Sequence, residues 1–179
     1  MKKTIGALMV AVSATAFAAN ASAYEFTPYV GVDYNYTTVS SASAQFNSGS
    51  INVGTMYNQY FGTEAFYQLS TDDKKGGDYQ SKTHMQAYGL DLMGYLPLGC
   101  DQTFSLIGSL GYGQYKITSK DTTTNATERD YGYAYRYGLG AMYNIDENIS
   151  IRAMARYIDV RDIDVDHMME YSLGARYNF

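Results

Sequence analysis

At 179 residues with a formal net charge of −5, the chain has the length of one domain, and its acidic balance excludes a nucleic-acid partner. A single cysteine, Cys100, excludes an internal disulfide and reads as a small buried or turn residue. The composition combines 20 Tyr and 17 Gly with no Trp. Past the amino-terminal segment, no run approaches the ~18 apolar residues that a membrane-spanning helix requires.

The chain opens on Met1-Lys2-Lys3, an apolar stretch of small residues over 5–18, and Ala21-Ser22-Ala23. A short basic start, an apolar middle and an A-x-A end are the parts of a secretory signal peptide. Cleavage is expected after Ala23, with Ala16-Phe17-Ala18 as a weaker alternative site; no cysteine at the junction suggests a lipoprotein. Residues 1–23 are therefore assigned to the signal and 24–179 to one domain.

Alternation of apolar and polar residues at period two then predicts eight strands, over 26–36, 51–57, 61–69, 83–96, 103–116, 131–143, 149–158 and 168–179. The connections alternate in length. Those at 37–50, 70–82, 117–130 and 159–167 are long and polar, whereas 58–60, 97–102 and 144–148 are short. Short turns on one side and long loops on the other are the pattern of outer-membrane barrels, the short side being periplasmic. The loops at 37–50 and 117–130 are rich in Ser, Thr and Asn, and are expected to stay solvated and to carry contact with an external partner.

One row of each strand is apolar: Val30, Val32, Tyr34; Val53, Thr55, Tyr57; Phe61, Ala65, Tyr67; Tyr88, Leu90, Leu92; and so on to Ile149, Ile151, Ala153, Tyr157. With a periplasmic amino terminus, the aromatics sort into two levels. Phe26, Tyr57, Phe61, Phe104, Tyr143, Tyr177 and Phe179 fall near the periplasmic boundary. Tyr34, Tyr36, Tyr67, Tyr88, Tyr112, Tyr133, Tyr135 and Tyr157 fall near the outer one. Two aromatic girdles around an aliphatic band are what a lipid-facing wall presents.

The opposite row carries Asp33, Glu64, Asp91, Arg136, Arg152, Arg156, Glu170 and Arg176, alternating with glycines such as Gly31, Gly89, Gly111 and Gly174. Buried charge is costly unless paired, so four acids and four arginines inside a narrow barrel read as a salt-bridge network. Side chains just fill an eight-stranded interior, which favours a structural plug over a narrow ion-conducting pore. The last strand sets Tyr171, Leu173, Ala175, Tyr177 and Phe179 against Ser172, Gly174, Arg176 and Asn178. A lipid row and an interior row stand side by side there.

Several of these stretches together resemble the small eight-stranded outer-membrane barrels of the outer membrane protein A and X type. The resemblance covers the whole expected mature chain. It rests on Pro28-Tyr29-Val30-Gly31-Val32-Asp33-Tyr34, Phe61-Gly62-Thr63-Glu64-Ala65, Leu90-Asp91-Leu92-Met93-Gly94-Tyr95-Leu96-Pro97, Gly138-Leu139-Gly140-Ala141-Met142-Tyr143, Ser150-Ile151-Arg152-Ala153 with Arg156-Tyr157, and the terminal Tyr177-Asn178-Phe179. It implies an all-β fold, an eight-stranded antiparallel up-and-down transmembrane β-barrel in the bacterial outer membrane. It also implies that the terminal strand, with Tyr171, Leu173, Tyr177 and Phe179, is read by the outer-membrane assembly machinery; with the sequence stopping at Phe179, the peptidoglycan-binding domain that follows some relatives is expected to be absent. An activity does not follow from such a fold.

Barrel enzymes of this membrane use Asp and His on peptides, or Ser and His on lipid A. His84 and His167 are the only histidines, with Asp72 and Asp73 before the first and Asp164 and Asp166 before the second. His167 is followed by Met168-Met169-Glu170 and not by a nearby Ser, so no catalytic residue is assigned. Asp159, Asp162, Asp164 and Asp166 alternate with Val160, Ile163 and Val165 without the Gly turn of a calcium loop. A solvated two-stranded extension accounts for that spacing; a divalent ion bridging the carboxylates to lipopolysaccharide phosphates is the alternative, and no metal or cofactor is assigned. Asn125-Ala126-Thr127 matches a glycosylation sequon in form alone, given the bacterial setting. The expectation is a monomeric, non-enzymatic barrel in contact with outer-membrane lipid and lipopolysaccharide. The competing readings are a barrel enzyme acting on lipid A or exposed peptides, and a narrow pore.

Overall fold

The computed structural model describes residues 26–39, 45–70, 81–99, 103–121, 127–161 and 167–179. The signal segment 1–23, Cys100, Asp72, Asp73, Asn125, Asp162, Asp164 and Asp166 lie outside them. Strands β1 (Thr27–Val39), β2 (Gln45–Met56), β3 (Phe61–Ser70), β4 (Ser81–Leu98), β5 (Phe104–Asp121), β6 (Thr127–Asn144), β7 (Ile149–Arg161) and β8 (His167–Asn178) follow one another around the wall. Every neighbour in this closed barrel is antiparallel, and β8 returns to β1 with Asn178 opposite Tyr29 and Met168 opposite Val39. Just past the end of β8, the Phe179 N–H donates to the Pro28 carbonyl at 2.9 Å. Closure of this kind leaves no unpaired strand edge, which lipid would not tolerate.

Two of the short turns are built by their own side chains. Asn58 Oδ1 accepts the N–H groups of Tyr60 and Phe61, each at 2.8 Å, and ties β2 to β3. Asp146 Oδ1 does the same for Asn148 at 2.8 Å and Ile149 at 2.6 Å between β6 and β7. In the β4–β5 turn Gly99 takes a φ of 81°, a conformation that disfavours a residue with a Cβ. Pro97 and Leu98, expected in this turn, belong to β4, where Pro97 lies opposite Ser105.

At the other end the strands run further than the sequence pattern foretells. β2 starts at Gln45 and not at Ile51; β5 and β6 have 18 residues each and continue to Asp121 and from Thr127. Most of the expected loops 37–50 and 117–130 is thus paired ribbon, with Thr37 opposite Phe46 and Thr118 opposite Arg129. Asp159, expected in the fourth loop, lies within β7. The reason is physical: hydrophobic alternation ends where lipid ends, whereas the hydrogen-bond ladder continues in water. A tilted strand spans the hydrocarbon in ~9–11 residues, so the surplus of β5 and β6 stands outside it.

Alternation puts the wall's apolar row outside and its small and charged row inside. The interior has three layers. Val39, Phe46, Phe66, Met85, Tyr115, Ile158 and Met168 pack toward the end with the long strand extensions, with Met93, Tyr95, Ile107, Met142 and Met154 toward the end with the short turns. The charged side chains lie between these apolar clusters. Glycines give them room: the Asp91 carboxylate lies across Gly111, its register partner, and the Asp33 carboxylate across Gly174.

Candidate functional site

The charged layer consists of the eight residues that parity puts inside, and the structure places all of them in the interior with almost no solvent exposure. They form two clusters. In the first, Arg152 grips two acids at once. Its Nε and Nη2 donate to Asp33 at 3.0 and 2.7 Å, and its Nη1 and Nη2 donate to Glu64 at 2.6 and 2.9 Å. Asn52 adds an amide donor to Asp33 at 2.9 Å, and the Tyr29 hydroxyl donates to Glu64 at 3.0 Å. Paired, two-pronged contacts of this kind are what make a buried guanidinium tolerable.

The second cluster centres on Glu170. It stands 3.3 Å from Arg136 and 3.3 Å from Arg156, and accepts from Gln68 at 2.7 Å and Thr37 at 3.4 Å. Arg136 also stands 3.4 Å from Asp91, while its guanidinium carbon lies 3.6 Å from the centre of the Phe66 ring.

Arg176 departs from the expected pairing of four acids with four arginines. Among the described residues no carboxylate stands within ion-pair reach of it. It donates to the Tyr95 hydroxyl at 3.1 Å and lies 4.4 and 5.5 Å from the ring centres of Tyr29 and Tyr95. The π-faces of two tyrosines therefore take the place of a carboxylate. Tyr29, Tyr95, Tyr115 and Phe66 are interior groups that the composition argument assigned to no role. Their parity carries the signal, since Tyr29 shares a row with Gly31 and Asp33, and Tyr115 with Gly111.

On the outside, the residues of both expected girdles are exposed except Tyr36, which is half-covered. Phe26 meets Tyr57 edge-on at 5.7 Å, and Tyr177 meets Phe179 edge-on at 5.2 Å. Tyr171 and Leu173 continue the exposed row of β8. The two histidines also face outward and do not meet: His84 is on β4 opposite Thr118, and His167 on β8, across the barrel, stacks on Tyr157 at 5.4 Å. Asp159 pairs with Arg161 at 3.0 Å. Among the described residues no three acidic, histidine or cysteine side chains are grouped to hold a metal.

A closed, antiparallel, lipid-faced barrel of eight strands with a charged interior is the architecture of a small outer-membrane protein. Residues 5–179 match the outer membrane protein beta-barrel domain, and the chain belongs to that family. Comparison with curated proteins finds no match. Among solved structures, Neisserial surface protein A is 14% identical with a TM-score of 0.68, over 86% of this chain and 97% of that one. Ail, the attachment invasion locus protein of Yersinia pestis, is 17% identical with a TM-score of 0.60, over 87% and 99%. The amino-terminal barrel domain of Pseudomonas aeruginosa OprF is 18% identical with a TM-score of 0.58, over 84% and 97%. At these identities the likeness is one of fold.

Proposed function

We propose that this outer-membrane barrel is non-catalytic, a structural element whose outer ribbons and wall make contacts with other molecules. The observation that carries the reading is the sealed interior: the charged groups there hold one another between two apolar clusters. Both histidines face away from that interior and lie on opposite sides of the barrel, on β4 and β8. The reading includes export by residues 1–23, recognition of Tyr171, Leu173, Tyr177 and Phe179 by the assembly machinery, and a monomer in contact with lipopolysaccharide. The mature amino terminus is then Tyr24.

The test is functional assay of the refolded protein in lipid. Planar bilayers should show no steady single-channel conductance, and wild type should neither deacylate lipid A nor cleave exposed peptides. Turnover that His84→Ala or His167→Ala abolishes would overturn the reading in favour of an enzyme. A reproducible conductance that rises when Arg152 or Glu64 is neutralised would overturn it in favour of a pore.

A further inference from the structure

The outer wall of β6 carries more tyrosine than a girdle uses. Tyr131, Tyr133, Tyr135 and Tyr137 occupy four successive outward positions, each 45–52% exposed. A girdle is one level of amphipathic rings at the membrane boundary. Four rungs on a strand tilted by ~40° climb about 15 Å along the membrane normal. The lowest rung, Tyr137, lies between Leu110 and Tyr157 at the top of the aliphatic band. The highest, Tyr131, lies opposite Lys116, whose Nζ is 5.7 Å from the ring centre. The ladder therefore runs from hydrocarbon into the charged zone above it.

Neighbouring strands stiffen this ladder. Tyr112 of β5 stacks on Tyr133 at 5.8 Å with the rings 7° from parallel, and meets Tyr135 at 5.4 Å. One level higher, Tyr88, Gln114, Tyr133 and Arg161 form a row across four strands, and the Tyr88 hydroxyl donates to Gln114. Lys116 and Arg161 flank β6 on either side, with backbones about 12 Å apart by strand spacing. The Arg161 side chain is 66% exposed and anchored by Asp159 at 3.0 Å.

We propose that this face, Tyr131, Tyr133 and Tyr112 between Lys116 and Arg161, binds the phosphorylated disaccharide head of the outer-leaflet glycolipid. Ring faces offer the C–H faces of sugars an apolar platform, and two flanking cations match a head with a phosphate at each end. The level fits, because the platform continues the aliphatic band that the ligand's acyl chains would cover. The chain as a whole is acidic, so attraction for an anion is local to this face. The inference rests on the surface-contact reading, but its failure is separable, since turnover and conductance are not its readouts.

The experiment uses the full barrel in phospholipid nanodiscs containing either diphosphoryl lipid A or phosphatidylglycerol of equal total charge, with retained lipid counted by native mass spectrometry. Wild type should retain lipid A over phosphatidylglycerol by roughly tenfold, the size of about one good ionic or ring contact. Lys116→Ala with Arg161→Ala, and separately Tyr131→Ser with Tyr133→Ser, should remove most of that preference. Tyr34→Ser, on the far side at the same girdle, should keep it. Lys116→Ala alone, on an exposed ribbon, gives a partial loss without threat to folding. Equal retention by wild type and the β6-face variants, equal retention of phosphatidylglycerol, or equal loss in Tyr34→Ser would overturn the proposal.

Discussion

Replacing Arg152 with Met tests the interior most directly. Arg152 makes four hydrogen bonds of 2.6–3.0 Å to two carboxylates, and all three side chains are almost wholly buried. Met keeps an unbranched apolar stem but lacks the guanidinium, so Asp33 and Glu64 lose their shared cation. Removing one partner of a buried ion pair costs about 3–5 kcal/mol, and two stranded acids put this case at the upper end. Arg136→Met is the comparison. It stands 3.3–3.4 Å from its acids, and Glu170 keeps Arg156, Gln68 and Thr37, so its loss should be smaller, about 3 kcal/mol. Urea unfolding in lipid, followed by the mobility of unboiled protein in electrophoresis, reads both. Adding Asp33→Asn and Glu64→Gln to Arg152→Met should return much of the loss, because neutral amides tolerate burial without a cation. Arg152→Met within ~1 kcal/mol of wild type, or less damaging than Arg136→Met, would show that the layer is not held by these contacts.

Three further outcomes follow from the same geometry. Gly174→Ala sets a Cβ 2.7 Å from the Asp33 carboxyl carbon and 2.6 Å from the Val32 carbonyl oxygen. It should cost about 1–3 kcal/mol in the same unfolding assay, and an unchanged midpoint would contradict the fit. Arg176→Met should cost less than Arg152→Met, about 2 kcal/mol, and Arg176→Lys should not restore it, since an ammonium lacks the planar face held over Tyr29. Deleting residues 177–179 removes the Phe179–Pro28 bond and the Asn178 N–H bond to the Asn148 carbonyl at 2.7 Å. Outer-membrane fractions should then contain little folded protein; wild-type amounts would refute a role for the terminus in assembly.

Facing was legible in the sequence because strand parity is a two-valued property fixed by any one confident residue. Gly31 and Asp33 suffice to put Tyr29 inside, and Asp91 suffices for Tyr95. Neighbourhood was not legible in the same way. Which cation meets which acid depends on how each strand is staggered against the next, and no local pattern records that stagger. Arg176 therefore read as one more ion-pair partner, although the side chains within its reach are Tyr29, Tyr95 and Met56. Strand ends above the membrane were obscured for a different reason. Residues 45–50 and 117–121 are mostly polar, and polarity alone does not separate a solvated ribbon from a loop.

The charge balance of the interior ties these observations together. Arg152 with Asp33 and Glu64 carries one surplus negative charge, whereas Arg136 and Arg156 balance Asp91 and Glu170. Arg176 supplies the missing positive charge without touching a carboxylate. The Tyr29 ring faces Arg176, and its hydroxyl donates to Glu64, so one aromatic side chain joins the cation to the acid pair. A phenol suits this position because its face attracts a cation while its edge donates to an anion. Among the described residues the buried charges thereby sum to zero, although the clusters are not neutral one by one. With the interior charges committed to one another, lysines and arginines able to meet an external anion are found on the outer wall, where Lys116 and Arg161 flank the tyrosines of β6.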